Sequence, residues 1–282
     1  EPLQDSGAIL VDQPSDLADV DVLATMVSTG RDVEQLYFGD DGVLSGKGMP
    51  KIFLDFSSIG VDQSAEIRKS LADKGSELVC CPVSGNGKCV KAGKLSAVAS
   101  GPKAAFEQVE DIISSIAAMG VSYVGEGELA RFCKIAHNIM LGVVTQNLAE
   151  ITILAQKAGV PRRAFLDFMN NSVMGSVFTR YKTNAFVNLD WTTTFTPTLL
   201  RKDLDLGLSA GREFNVPMPV TAAMREALQS HFGAANLKND PDSYIEGDFA
   251  ALLETVALAS GIELESENSP YPTGLEIPQA SE

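Results

Sequence analysis

The chain has 282 residues, 45% hydrophobic and 21% charged, with a formal net charge of −15 at pH 7. This is the composition of a globular protein with room for one large or two modest cores. The acidic balance argues against nucleic acid, whose phosphates need a basic footprint, but leaves room for a small anionic substrate in a locally positive pocket.

Cys80, Cys81, Cys89 and Cys133 lack the paired spacing of a zinc site, and with only two histidines no metal site is expected. They read as reduced, mostly buried thiols of an intracellular, cytoplasmic protein. No run reaches about 18 uninterrupted apolar residues. The opening Glu1-Pro2-Leu3-Gln4 resembles neither a signal nor a transit peptide, and the true N-terminus is expected to lie outside this sequence.

In chain order, residues 21–27, 51–56, 77–83, 95–99 and 122–124 read as short strands. Helical patterns fill 31–38, 63–74 and 103–119, the last with Phe106, Val109, Ile112, Ile113 and Ile116 at helical spacing and Gly120 as its stop. Such alternation predicts an α/β layered domain with a largely parallel sheet. After Gly127 the strand signal ends. Residues 128–158 form one long helical pattern, followed by helices over 161–169, 197–213, 220–232 and 249–260. The expectation is an α/β domain over 1–127 and an all-α domain over 128–282, joined by a helix of roughly 45 Å.

Three segments carry polar residues that packing alone does not call for. On the long helix, Lys134 and Asn138 lie four apart and share one face. A lysine there either extends its amine to solvent or is held near neutrality for proton transfer; the adjacent His137 reads equally well as a packed, hydrogen-bonded histidine. The turn Ser84-Gly85-Asn86-Gly87 follows an apolar strand, and is either a simple turn or a set of N–H groups for an anion. Asp55-Phe56-Ser57-Ser58 ends a strand with the same two readings. Phe195-Thr196-Pro197 starts a helix that carries Lys202-Asp203, which by itself also fits a solvated face. Ligands in open α/β sheets bind beyond the carboxyl ends of strands, where Ser58 and Ser84 fall.

Taken in order, these segments resemble the β-hydroxyacid dehydrogenase family, which includes 3-hydroxyisobutyrate dehydrogenase and tartronate semialdehyde reductase. The resemblance runs from Gly7-Ala8 to Gly247-Asp248-Phe249, and rests chiefly on Pro82-Val83-Ser84-Gly85 with Ala92-Gly93-Lys94-Leu95 and on Lys134-Ile135-Ala136-His137-Asn138. It implies a Rossmann-like domain followed by a helical substrate and oligomerisation domain, an NAD or NADP cofactor, a small carboxylate substrate and a homodimer or homotetramer. It implies Lys134 as general acid and base with Asn138 beside it. It places Ser84, Gly85, Asn86, Asn138, Phe195 and Asp203 at the substrate, and Val27, Ser28, Ser58 and Lys202 at the cofactor.

Three departures stand out. Asn86 replaces the glycine of a Ser-Gly-Gly turn. His137 precedes Asn138 as in 6-phosphogluconate dehydrogenases, whose C-terminal part is longer. The family's opening G-x-G-x-x-G, which holds the cofactor pyrophosphate, is not among the 282 residues. A defective adenine-side site is therefore expected of this polypeptide, and a non-catalytic binding or oligomerisation module is the alternative function.

Overall fold

The computed structural model describes residues 2–276. Its α/β part runs α1 (Pro2–Asp5), β1 (Val22–Thr25), α2 (Gly30–Phe38), β2 (Ile52–Asp55), α3 (Val61–Ala72), β3 (Glu77–Cys80), β4 (Val83–Ser84), α4 (Gly87–Lys91), β5 (Ser96–Ala99), α5 (Lys103–Ile116) and β6 (Val121–Tyr123). The all-α part follows as α6 (Leu129–Lys157), α7 (Arg162–Asn171), α8 (Val177–Asn188), α9 (Pro197–Glu213), α10 (Pro219–Ala235), α11 (Pro241–Glu246) and α12 (Leu252–Ala259). An α/β sequence of elements thus gives way to helices, as the change in hydrophobic period predicts.

Strands β1, β2 and β3 pair in parallel, in that spatial order. Every residue of β2 is buried. Its side chains alternate between two cores: Ile52 and Leu54 pack with Val79, Phe106 and Ile113 on one face, and Phe53 with Tyr37, Ile67 and Leu71 on the other. Burial on both faces explains why this strand reads as an unbroken apolar run.

The reading of 77–83 as one strand is corrected here. Pro82 has no N–H to give a ladder, so β3 stops at Cys80, and β4 pairs antiparallel with β5, which itself runs parallel to β6. An antiparallel bridge between Cys80 and Ser100 ties the two three-stranded sheets together. Just beyond it, Gly101 (φ +139) leaves no room for a side chain: a Cβ would sit 2.5 Å from the Leu78 carbonyl oxygen.

The chain divides into two compact units, Glu1–Gly85 with Gly93–Lys134, and Asn86–Ala92 with Ile135–Glu282. In the second, Leu148, Ile153, Leu166, Phe186 and Leu253 form one core, and Leu200, Leu204, Met224, Leu228 and Phe249 another. Helix α8 is absent from the sequence reading because its buried stripe is partly polar, with Thr179, Lys182 and Thr183 inside alongside Phe186. Those hydroxyls are satisfied locally: Thr183 Oγ1 donates to the Thr179 carbonyl (2.8 Å) and accepts from Asn170 Nδ2 (2.7 Å). Among the described helices α6 alone has the length and mean hydropathy (1.3) of a membrane span, but it carries Arg131 and Asn138, both buried and both paired within the protein.

His231 on α10 is fully buried, with Nδ1 2.9 Å from Thr255 Oγ1 and its ring stacked 4.6 Å from Tyr244. Burial pulls its pKa down to about 4. The native imidazole therefore stays neutral while the unfolded one protonates near pH 6.5. Stability is complete above that value and falls as pH drops from about 6.5 toward about 4. Urea unfolding across this window is expected to show the loss, and His231→Gln is expected to flatten it.

Candidate active site

In the sheet unit, the carboxyl ends of β1 and β2 are fastened by one polar network. Asp55 ends β2 with no exposed surface and accepts hydrogen bonds on Oδ1 from Thr25 Oγ1 (2.8 Å) and Ser57 Oγ (2.7 Å). Its Oδ2 takes the Arg131 guanidinium at 2.6 Å. Arg131, on the first turn of α6 and 1% exposed, also donates to the Ser57 carbonyl and to Ser64 Oγ. Ser57 Oγ in turn accepts the Val27 N–H at 2.9 Å. Val27 is thereby tied to the end of β2, with exposed Ser28 and half-buried Ser58 beside the two anchored residues.

A second set of contacts fixes the start of α6. Glu128 accepts from Arg68 Nε (2.6 Å), Ser64 Oγ and Cys80 Sγ (3.3 Å). Burial alone would raise its carboxyl pKa, but the bonds from Arg68 and Ser64 outweigh burial and hold it below the usual carboxylate range. Burial pushes the Cys80 thiol up, so it stays protonated and acts as a donor. Lys134 lies one helical turn beyond Arg131 and is half-buried. At the end of β4, Ser84 is half-buried and Gly85 takes φ +131, a backbone state that favours glycine.

In the helical unit, Asn138 is buried on α6 and its Nδ2 donates to Asp203 Oδ2 at 2.6 Å. Its Oδ1 lies 2.9 Å from His137 Nδ1. Asp203, buried on α9, also receives Lys202 Nζ at 3.5 Å. Asn138, Lys202 and Asp203 are therefore brought together, as a set that orients the amide. Phe195 stands just before α9 and packs edge-on against Phe249, with centroids 5.8 Å apart. Asn86 caps α4: its Oδ1 accepts from the N–H groups of Lys88 (2.9 Å) and Cys89 (3.2 Å). The amide oxygen is thus committed to the helix.

Sequence reasoning passed over Arg131, Glu128 and Ser64. An arginine amid apolar helix residues reads as one that reaches solvent, and its partner Asp55 lies 76 residues away. The available signal was Asp55-Phe56-Ser57-Ser58, a carboxylate at the end of an otherwise apolar strand. Arg131→Met leaves Asp55 buried without its cation and is expected to cost about 3–5 kcal/mol, read as a drop in the urea midpoint with unchanged m-value.

The carboxyl ends of β1 and β2 form the edge where parallel sheets bind ligands. Comparisons with known proteins identify the class of that ligand. Residues 1–125 match the family described as the NAD binding domain of 6-phosphogluconate dehydrogenase, and residues 128–246 that described as NAD-binding of NADP-dependent 3-hydroxyisobutyrate dehydrogenase. The chain is 32% identical to 2-(hydroxymethyl)glutarate dehydrogenase of Eubacterium barkeri over 210 residues, covering 74% of this chain and 69% of that one. It is 28% identical over 226 residues to the cytokine-like nuclear factor N-PAC of Homo sapiens, covering 79% of this chain but only 40% of that protein. In fold it resembles the crystal structure of 3-hydroxyisobutyrate dehydrogenase from Salmonella typhimurium, with a TM-score of 0.75, 24% identity, and 86% and 82% of the two chains covered. The cofactor is NAD or NADP. The chain belongs to the superfamily of Rossmann-fold, NAD(P)-binding oxidoreductases that includes 3-hydroxyisobutyrate and 6-phosphogluconate dehydrogenases.

Proposed function

We propose that this oxidoreductase acts on a small β-hydroxyacid or its semialdehyde, with Lys134 as general acid and base. The observation that carries the reading is the fixed placement of Lys134, one turn after an arginine that anchors α6 to the end of β2. Val27, Ser28, Ser58 and Lys202 would hold the cofactor, which supplies hydride transfer to or from the substrate carbon. Ser84 and the N–H of Gly85 bind the substrate carboxylate. Asn138, turned by Asp203 and His137, orients the reacting oxygen. Lys134 gives that oxygen its proton in reduction and removes it in oxidation. Phe195 borders the substrate, and Asp203 tempers the charge of Lys202.

Lys134→Ala is expected to lower turnover by roughly 10²–10⁴-fold in a panel of small hydroxyacids and semialdehydes assayed with NADH and NADPH. The panel includes 3-hydroxyisobutyrate and 2-(hydroxymethyl)glutarate. Undiminished turnover in the variant overturns the assignment of Lys134.

We also propose a homodimer or homotetramer through the helical unit. Met140, Leu154, Phe168, Val173 and Met174 stand largely exposed there, apolar side chains of the kind an interface covers.

A further inference from the structure

One buried cation of the helical unit has no part in the mechanism above. Lys182 on α8 is 3% exposed, and its Nζ donates to Asp248 Oδ1 (2.5 Å) and to Thr194 Oγ1 (2.8 Å). The same ammonium lies 4.4 Å from the centroid of the Phe249 ring. Burial pulls its pKa down, and the Asp248 carboxylate pushes the other way.

Asp248, 1% exposed, is saturated. Oδ1 also accepts the Ala250 N–H (2.9 Å), and Oδ2 accepts both the N–H (2.8 Å) and the hydroxyl (2.6 Å) of Thr194. The backbone continues the seam: the Asp248 N–H donates to the Trp191 carbonyl (3.1 Å), and the Phe249 N–H to the Phe195 carbonyl (3.1 Å). Thr193 Oγ1 donates to the Glu246 carbonyl (2.8 Å). Residues 191–195 are thus stitched to 246–249, with the Lys182–Asp248 pair at the centre. The stitched segment ends at Thr196, whose side chain caps α9.

We propose that Lys182 and Asp248 are positioning residues: their buried pair holds residues 191–196 in place, and so sets where Phe195 and the first turn of α9 stand. Lys202 and Asp203 follow on the same helix. The inference rests on the reading that assigns Phe195 and Asp203 to the substrate. Most of the seam's atoms are backbone or carboxylate groups that any fold must satisfy when buried, but a buried ion pair is a costly way to do so. An apolar pair of similar volume serves stability as well or better. The Thr194 bonds, by contrast, need the carboxylate.

The chain's single tryptophan, Trp191, lies in this segment and donates from Nε1 to Glu254 (3.0 Å), so its fluorescence reports on the latch without any cofactor. Two variants separate positioning from stability. Lys182→Met leaves the carboxylate buried and unpaired. It is expected to lower the melting temperature, shift Trp191 emission to longer wavelength and raise its quenching by acrylamide. The double variant Lys182→Met/Asp248→Leu is expected to regain part of the melting temperature, because the unpaired charge is gone while the Thr194 and Ala250 donors stay unmatched, and to keep the altered emission. With 3-hydroxyisobutyrate as probe, it is expected to lose kcat/KM on the order of 10²-fold, the scale of a small misplacement at a reacting centre. Wild-type emission and quenching in the double variant overturn the latch. Altered emission with undiminished kcat/KM upholds the latch, and overturns instead the reading that puts Phe195 and Asp203 at the substrate.

Discussion

The ion pair between Asp55 and Arg131 is the constraint on which the sheet unit is organised. Both groups are out of water, and bringing them there carries a desolvation cost that direct attraction offsets only when every remaining lone pair and N–H finds a partner. Here each guanidinium nitrogen and each carboxylate oxygen has one: beyond their mutual bond, Thr25 and Ser57 serve the carboxylate, and Ser64 and the Ser57 carbonyl serve the guanidinium. The pair joins the ends of two parallel strands, the start of α3 and the first turn of α6. Val27 hangs from it through one hydroxyl, and Lys134 through one turn of helix.

The helical unit follows the same rule with different groups. Asn138 is an amide whose two ends are both spoken for, by His137 and by Asp203. An amide held at both ends has one orientation. The polar residues of α6 thus divide along the helix. Arg131 and Asn138 are buried and fixed, and half-buried Lys134 lies between them on the same side.

The elements with a clean hydrophobic period, β2, α5 and α6 among them, were legible in the sequence. Where the period was broken by chemistry, the reading went astray. Pro82 divided an apolar run that looked like one strand. Helix α8 escaped because the residues facing its core include a lysine and two threonines. Of the candidate site, the turn at Ser84 and the Lys134–Asn138 face were visible because they are local. Arg131, Lys182 and Asp248 were not, since each is explained only by a partner far along the chain: 76 residues separate Asp55 from Arg131, and 66 separate Lys182 from Asp248. Asn86 shows the converse. A local contact escaped there, because the five-residue helix that its oxygen caps is too short to show a hydrophobic period.

The reach of Arg131 back into the sheet also bears on how the polypeptide matures during synthesis. A nascent chain that has emerged only as far as β6 already contains the six described strands, yet Asp55 has no cation and Arg68 and Cys80 lack Glu128. Its buried polar groups cannot all be satisfied until the ribosome has released the first turns of α6. The strands without the first turns of α6 are therefore not an autonomous early folder. Its closing step depends on contacts of long sequence separation, which form slowly, and until then its strand ends stay open to water and to chaperones. A cut placed at the visible change from strands to helices would divide the chain in the middle of its own keystone.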